Sequence, residues 1–262
     1  MKMFLASMEN QFNLISKVDH LKYMLISFFY LNKNADKMQI LLDKCDSMLI
    51  DSGAFSFQNG KNVDFDAYTK VYGKFIKRFT DDPRTLGFFE MDIDKIVGYE
   101  KVKEYRKMLE GVSDKIIPVW HNTRGIDEYY KMCEEYAGKR IAIKGFYNED
   151  IIDSQYNLFL NTAHHYGCKI HILGMTRLDF MRGLNLGKDD SFDSNTWLRR
   201  GIFGEFVLPK DKFGIKLIYA LHGCEDKESF FDKINLHSFM KVQDNLDEID
   251  QSVIPEGGGV MT

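Results

Sequence analysis

The feature that most constrains the fold is a repeat in which short apolar runs end in a polar or acidic residue. Runs of this kind precede Asp51, Asp92 and His121, and most segments between them have the apolar spacing of a helix. Ser191–Ser194 is a further predicted strand end, and it carries Asp193. Continuous apolar runs are typical of parallel strands that are buried on both faces. Strands that alternate with helices at a spacing of roughly 25 to 30 residues predict repeated βαβ units and a parallel sheet.

The number of these units indicates how the sheet is arranged. About eight of them fit the chain, which favours an α/β fold of the (β/α)8 TIM-barrel type, in one domain over residues 1–250. An open doubly wound sheet is the alternative, but it would concentrate its ligands at one switch point, whereas polar residues follow nearly every run here. Residues 251–262, with Pro255 and three glycines, are predicted to form a flexible tail.

Composition excludes several classes of protein. The chain of 262 residues has 44% apolar residues but no apolar run long enough to cross a membrane, and its start lacks a signal-peptide pattern, so we expect a cytoplasmic protein without a membrane partner. The four cysteines are far apart, which argues against disulfides and against a cysteine zinc site. Neither a GxGxxG nor a GxxxxGK[ST] motif is present, so a nucleotide-phosphate cradle is not indicated.

A net charge of −4 argues against a surface that is basic throughout, but it leaves room for a local basic groove. Three clusters could line such a groove, and each could equally be an ordinary solvated surface. These clusters are Lys74 with Lys77 and Arg78, Arg199 with Arg200, and Lys210 with Lys212 and Lys216.

The strand that ends in Asp51 has the pattern of an active-site strand. Met48 to Ile50 are apolar, and the small residues Ser52 and Gly53 after Asp51 let the backbone approach a ligand closely. The alternative is that Asp51 caps the next helix.

A closed parallel sheet would bring the polar strand ends to one mouth, where (β/α)8 barrels have their active sites. The residues concerned are Asp51, Asp92, Asp94, His121, Lys144, Gly145, Gly174 and Asp193. Crowded carboxylates raise each other's pKa and can divide the roles of nucleophile and acid or base. This pattern suits glycosyl transfer, and it also suits divalent-metal chemistry with oxygen ligands. Asp92 or Asp94 as a helix cap, His121 as a structural histidine and Trp197 as a core residue are the structural alternatives.

One segment resembles a known family. Asp51-Ser52-Gly53-Ala54-Phe55 is similar to the Asp-Ser-Gly-Gly-Phe segment of the tRNA-guanine transglycosylase superfamily, with Ala54 in place of a glycine. The resemblance spans about residues 48 to 207 in the same order, through the strand before Asp92, Ile141–Gly145, Leu173–Thr176 and Phe192–Ser194. It implies a (β/α)8 barrel that exchanges guanine for a 7-deazaguanine through a covalent glycosyl-enzyme intermediate.

The resemblance also implies roles for individual residues. Asp193 would be the nucleophile that attacks C1′ of the nucleoside. Asp51 would be the carboxylate that transfers protons near the nucleophile and the base. Asp92 would bind the purine edge, the backbone of Lys144 and Gly145 would contact the carbonyl oxygen of the base, and Phe55 would stack on the base. Further base-binding candidates are Ser52, Gly53, Gly174, His121 and His171. Candidates for contact with the nucleic acid are Trp197, Arg199, Arg200, Lys77 and Arg78.

The sequence differs from the tRNA enzymes in ways that indicate another subgroup of the same superfamily. It lacks their zinc-binding Cys-x-Cys-x-x-Cys, so no zinc subdomain is expected, and their glycine run is reduced here to Lys144-Gly145-Phe146. Ile117–His121, Lys169–His171 and Asp193–Trp197 are more similar to the DNA 7-deazaguanine transglycosylases of bacteriophages and bacterial DNA-modification clusters. We therefore expect DNA and a free 7-deazaguanine such as preQ0 as substrates, no cofactor and no metal, with a partner protein or a homodimer left open.

Three alternatives remain at this point. The polymer could be tRNA, as in the tRNA-guanine transglycosylases themselves. The chain could be a barrel subunit that has lost its chemistry. It could also be a metal-dependent barrel hydrolase that uses Asp51, Asp92, Asp94 and His121 as ligands.

Overall fold

The computed structural model describes residues 1–31, 35–57, 63–145, 151–175, 177–202, 205–209, 215–219 and 227–247. The tail proposed for residues 251–262 and the basic residues Lys210 and Lys212 lie outside these ranges. None of the helices in the described ranges combines the length and the apolar character that crossing a bilayer requires.

A parallel sheet forms the centre of the described structure. Its nine strands are β1 (Lys2–Ala6), β2 (Leu21–Ser27), β3 (Cys45–Asp51), β4 (Thr85–Phe89), β5 (Ile116–Ile117), β6 (Val119–Trp120), β7 (Arg140–Lys144), β8 (Lys169–Leu173) and β9 (Ser191–Ser194). Their order in the sheet is β5-β4-β3-β2-β1-β9-β8-β7-β6, and every pairing between them is parallel.

The two edges of the sheet meet around Pro118. Strands β5 and β6 stand at opposite ends of the strand order, yet only this residue separates them in the chain. The Ile117 carbonyl accepts a hydrogen bond from the Glu90 amide on one side (3.0 Å), and the Pro118 carbonyl accepts one from the Ala142 amide on the other (2.9 Å). Proline has no amide hydrogen, which explains the interruption here. The sheet is therefore a nearly closed parallel barrel, and the predicted α/β fold with a parallel sheet is confirmed.

Helices flank this barrel. They are α1 (Phe12–Ile15), α2 (Phe28–Leu31), α3 (Ala35–Leu42), α4 (Phe65–Phe79), α5 (Asp94–Val97), α6 (Tyr99–Glu110), α7 (Ile126–Glu135), α8 (Tyr156–His165), α9 (Leu178–Met181), α10 (Thr196–Ile202) and α11 (Lys227–Asp247). Helix α4 shows why they form where they do. Asp64 caps its start by accepting a hydrogen bond from the Ala67 amide (3.0 Å). Tyr72, Phe75, Ile76 and Phe79 are buried at helical spacing, so they form its inner face.

Alternation along the strands separates two apolar layers. In β1, Met3 and Leu5 pack against the helices, whereas Phe4 and Ala6 belong to a smaller cluster inside the barrel. Inside and outside positions alternate because successive side chains of a strand point to opposite faces. The inner cluster, with residues from β1 to β7, forms the floor beneath the mouth.

Two parts of the fold differ from the sequence prediction. The aromatic and branched residues of Tyr23–Leu31 predict a single strand over this range. In the structure the strand ends at Ser27 and α2 follows, because Phe28 packs against aromatic residues of α4 at centroid distances of 4.8 to 5.3 Å. The segment after α10 forms an antiparallel hairpin of β10 (Glu205–Pro209) and β11 (Ile215–Tyr219). Helix α11 then returns to the barrel, where the Gln243 side chain donates hydrogen bonds to carbonyl groups of β1 and β2.

Candidate active site

The carboxyl ends of the barrel strands bring three acids together. Asp51 is the last residue of β3, Asp193 lies near the end of β9, and Asp92 follows β4. All of these strands run in the same direction, so their ends share one mouth. Burial raises the pKa of Asp51, and the negative charges of Asp92 and Asp193 add to this effect.

Asp193 is held by one of its two carboxylate oxygens. Its Oδ1 accepts hydrogen bonds from the Gly174 amide (2.8 Å) and from Nε2 of His171 (3.2 Å). Its Oδ2 has no hydrogen-bond partner among the described residues. The residue as a whole is 9% exposed, and this second oxygen is accessible from the mouth. A carboxylate fixed in this way can present one oxygen to an electrophilic carbon.

Asp51 is suited to carry a proton. Desolvation of its carboxyl group raises its pKa to about 7, and the neighbouring negative charges of Asp92 and Asp193 add to this effect. The Gly53 amide, which donates to Oδ2 of Asp51 (2.9 Å), acts in the opposite direction. An acid with a pKa near neutrality can both donate and accept a proton under physiological conditions. The bond to Gly53 closes a local turn, so Asp51 does not serve as the helix cap that the sequence left open.

The turn after Asp51 depends on its small residues. Gly53 has a φ of +85°, and a Cβ added there would lie 2.4 Å from Cβ of Phe29. The Ser52 carbonyl accepts a hydrogen bond from the Tyr68 hydroxyl (2.7 Å), which anchors the turn to α4. Ser52 and Gly53 therefore shape the mouth through their backbone. The side chain of Phe55, the predicted stacking residue, lies outside the described part of the structure.

Glu9 is a fourth acid that the sequence interpretation missed. It is buried, and its Oε2 has no partner among the described residues. Burial raises its pKa to about 7, and the Asp51 charge contributes to this shift. Glu9 follows Ser7, the one non-glycine residue with positive φ (68°) in the described ranges. The apolar segment Met3–Met8 predicts a strand that runs to Met8, whereas β1 ends at Ala6, three residues before Glu9. Because this strand end was not predicted, Glu9 was not grouped with the other acids.

Asp92 forms a second cluster with His121 and Arg124. Nε2 of His121 is hydrogen-bonded to Oδ1 of Asp92. Arg124 binds both carboxylate oxygens of Asp94 at 2.6 Å, and it reaches Asp92 at 3.5 Å. The Arg124 guanidinium lowers the pKa of Asp94 although burial opposes this. Oδ2 of Asp92 has no hydrogen-bond partner in the described residues and can accept from the N–H groups of a purine.

The same cluster contains a buried ion pair that the sequence did not indicate. Glu90 is fully buried between Arg106 (2.5 Å) and Arg124 (2.9 Å). Burial alone would raise the pKa of Glu90, but the two guanidinium charges outweigh it and lower the pKa. Arg124 was missed because its place in the sequence, after the strand end at His121, resembles that of any surface arginine.

Three of the predicted base-binding residues have structural partners. The Gly145 amide donates to the Leu173 carbonyl (2.8 Å), and a Cβ at this position would lie 2.6 Å from Cγ2 of Ile172. The Gly174 amide is bonded to Asp193, so this glycine orients the candidate nucleophile. His171 is fully buried beneath Asp193, with both ring nitrogens engaged, and it therefore supports Asp193 instead of touching a base. Lys144 is half-buried at the end of β7.

The residues predicted to contact nucleic acid are dispersed. The prediction that Trp197 contacts nucleic acid was wrong, because this residue is fully buried and its Nε1 donates a hydrogen bond to the Ala6 carbonyl (3.0 Å). Lys77 and Arg78 are exposed but lie away from the mouth, and their contact with nucleic acid stays a prediction. They occupy the last turn of α4, which leads from the carboxyl end of β3 to the amino end of β4, and its 15 residues span about 22 Å.

The arginines of α10 remain near the mouth. Arg199 is exposed, and Arg200 is partly exposed and paired with Glu205 (2.5 Å). Helix α10 begins directly after β9, so these two side chains lie within about two turns of Asp193.

Comparison with known proteins adds no identification. No protein-family model matches this chain, and no curated protein sequence matches it.

Proposed function

We propose that this protein is a base-exchange transglycosylase that replaces guanine in DNA with a 7-deazaguanine derivative such as preQ0. The proposal takes the nearly closed sheet as a (β/α)8 barrel in which Pro118 interrupts one strand. The observation that carries it is the arrangement of Asp193 at the same mouth as Asp51, whose pKa is about 7. Two N–H donors hold Oδ1 of Asp193, while Oδ2 has no partner in the part of the chain that the structure describes. Glycosyl transfer needs such a nucleophile and such an acid.

In the first step, Oδ2 of Asp193 attacks C1′ of the target nucleotide. The bond between C1′ and N9 of guanine breaks, its electron pair leaves with the base, and the protonated Asp51 carboxyl supplies a proton to that base. The products are an aspartyl-glycosyl ester and free guanine. Asp51 is suited to this role because a pKa near 7 leaves a large fraction of it protonated at neutral pH.

In the second step, the incoming 7-deazaguanine enters the vacated base site. The Asp51 carboxylate removes the proton from its N9, this nitrogen attacks C1′, and the ester bond to Asp193 breaks. Asp193 returns as a carboxylate and Asp51 as an acid, so that the cycle closes without a cofactor.

The Asp92 cluster provides a candidate site for the base. Oδ2 of Asp92 can accept from the N–H groups of guanine, and the hydrogen bonds of Oδ1 to His121 and Arg124 orient the carboxyl group. The target nucleotide must leave the base stack to reach this site, as in other enzymes that modify bases. Arg199 and Arg200 would bind the flanking phosphates.

The test is incorporation of labelled guanine and of preQ0 into duplex DNA, single-stranded DNA and tRNA, read by mass spectrometry of the nucleosides. We expect incorporation into DNA and its loss in Asp193→Ala. The matched control is Asp46→Asn, an exposed acid at the opposite end of β3 from Asp51. Incorporation into tRNA alone would favour the tRNA enzyme, and no incorporation into any polymer would favour a barrel subunit without chemistry.

A metal-dependent hydrolase is the second candidate function. It is favoured by Asp92, Asp94 and His121, which offer ligand atoms that all lie within 4.8 Å of one another. Against it, the Arg124 guanidinium already binds both oxygens of Asp94, and a divalent cation would have to displace this charge. Calorimetric titration with Mg²⁺, Mn²⁺ and Zn²⁺ separates the two. We expect no metal binding that depends on Asp94, so the titrations of Asp94→Asn and of the unaltered protein should be the same. We also expect base exchange to continue in the presence of a chelator.

A further inference from the structure

We propose that Arg140 and Ser191 are positioning residues that fix His171 as the Nε2–H tautomer, so that His171 holds Oδ1 of Asp193 and leaves Oδ2 turned to the mouth. The part of this inference that concerns catalysis rests on the proposed role of Asp193 as nucleophile. The direction of the hydrogen bonds does not depend on that role.

The four residues form a continuous chain through the inside of the barrel. Nη1 of Arg140, at the start of β7, lies 2.8 Å from Oγ of Ser191, at the start of β9. The same Oγ lies 2.8 Å from Nδ1 of His171, and Nε2 of His171 lies 3.2 Å from Oδ1 of Asp193. Ser191 and Asp193 point to the same side because they are two residues apart on one strand. The chain therefore runs from the amino end of the barrel to its mouth.

The chemistry of the two ends sets the direction of every bond in this chain. A guanidinium only donates, so Oγ of Ser191 accepts from Arg140. An ionised carboxylate only accepts, so Nε2 of His171 carries the proton that points to Asp193. In a neutral imidazole the other nitrogen is then an acceptor, and it receives the Ser191 hydroxyl proton.

The surroundings keep the imidazole neutral. His171 and Ser191 are fully buried, and the rings of Phe4 and Phe89 pack against His171 at centroid distances of 5.9 and 5.1 Å. This burial lowers the pKa of His171, and the charge of Arg140 acts in the same direction, although Asp193 opposes both. Burial lowers the pKa of Arg140, and the negative charges of Asp190 and Asp189 oppose this. A guanidinium nevertheless stays protonated in proteins.

The consequence is a fixed carboxylate. The Gly174 amide and Nε2 of His171 hold the same oxygen of Asp193 from two sides, which restricts rotation of the carboxyl group. Oδ2 is then the oxygen that meets C1′. A displacement of the reacting atoms by about 1 Å can lower the rate about 100-fold, so loss of this restraint should be visible in kcat.

The experiment that tests the chain is nitrogen NMR of protein with ¹⁵N-labelled histidine. The sequence has seven histidines, and the His171 signals are assigned by their loss in His171→Asn. We expect the shifts of a neutral Nε2–H tautomer in the unaltered protein. In Ser191→Ala, which removes the donor to Nδ1, we expect a mixture of tautomers, and in Ser191→Thr, which keeps a hydroxyl, we expect the single tautomer again.

The control is Ser238→Ala, which removes the hydroxyl of another buried serine, on α11. Ser238 is not part of the hydrogen-bond chain from Arg140 to Asp193. Among the three serine variants, base exchange should show a roughly 100-fold lower kcat with unchanged KM in Ser191→Ala alone. An Nδ1–H or doubly protonated His171 in the unaltered protein would overturn the inference, and so would an unchanged tautomer in Ser191→Ala. The expected tautomers in a protein that exchanges no base would support the hydrogen-bond chain and reject the proposed function.

Discussion

At the scale of single residues, Asp51 and Glu9 make the stability of the protein depend on pH. Their pKa values rise to about 7 from ordinary values of 3.8 and 4.5. A folded-state pKa above the unfolded value gives a contribution to stability that is fully present below the unfolded pKa and is lost as pH rises through the folded pKa. The free energy of unfolding should therefore lose these contributions between about pH 4 and pH 7.

Glu9→Gln tests this dependence without altering the candidate nucleophile. The variant should be more stable than the unaltered protein at pH 8, by on the order of 1 to 3 kcal/mol, because it no longer buries a charge. Near pH 4 the two should be similar. Urea unfolding from pH 4 to pH 8 measures both, with Asp46→Asn as the exposed control. If the free energy of unfolding of Glu9→Gln and of the unaltered protein changed with pH in the same way, the raised pKa of Glu9 would be contradicted.

Glu90 is the residue whose loss should destabilise the fold most directly. Glu90→Gln would leave Arg106 and Arg124 buried without their shared counter-charge, and removing one partner of a buried ion pair costs about 3 to 5 kcal/mol. The control is Glu104→Gln, which removes an exposed partner of Lys101 and should change stability by about 0.5 kcal/mol or less. Denaturant unfolding measures both. A loss under about 1 kcal/mol for Glu90→Gln would mean that the pair does not anchor the mouth.

At the scale of elements, the contact between β7 and β8 depends on Gly145. A Cβ there would lie 2.6 Å from Cγ2 of Ile172 and 2.9 Å from the Leu173 carbonyl oxygen, so Gly145→Ala must push the strands apart. We expect a loss of about 1 to 3 kcal/mol in the free energy of unfolding. Gly183→Ala is the matched control, because its nearest atom is 3.8 Å away. Equal stability of the two variants would contradict the observed packing.

The strands were predictable from the sequence because burial on both faces leaves a local signal. Apolar runs located β3, β7 and β8, and helical spacing located α4 and α6. The signal failed where packing between distant elements decides the structure. Phe28 joins α2 to the aromatic residues of α4, and Trp197 turns inward to the Ala6 carbonyl. Neither contact has a periodicity that a single sequence reveals.

The acids of the candidate site were predictable from the sequence, but the residues that hold them were not. Acids at strand ends indicated Asp51, Asp92 and Asp193, because parallel strands share one mouth. The partners of those acids were not predictable. Arg124 and Glu9 reach the mouth from segments outside the strands, and their roles depend on where the side chains point.

At the scale of the whole molecule, closure of the sheet creates the site. Asp51 and Asp193 belong to strands that are far apart in the chain, and strands β2 and β1 stand between theirs in the sheet. Curvature of the sheet into a barrel turns both strand ends toward one mouth. The sequence predicted that the strands repeat, but the meeting of β5 and β6 at Pro118 is a property of the folded chain.

The central claim is that Asp193 attacks a nucleoside sugar, and trapping the intermediate tests it most directly. The protein is incubated with guanine-containing DNA in the absence of a free base, denatured by acid, treated with nuclease and analysed by mass spectrometry. We predict a nucleotide adduct on the peptide that contains Asp193, with the modification on this residue and no adduct in Asp193→Asn. An adduct on another residue, or base exchange that proceeds at full rate in Asp193→Asn, would contradict the claim.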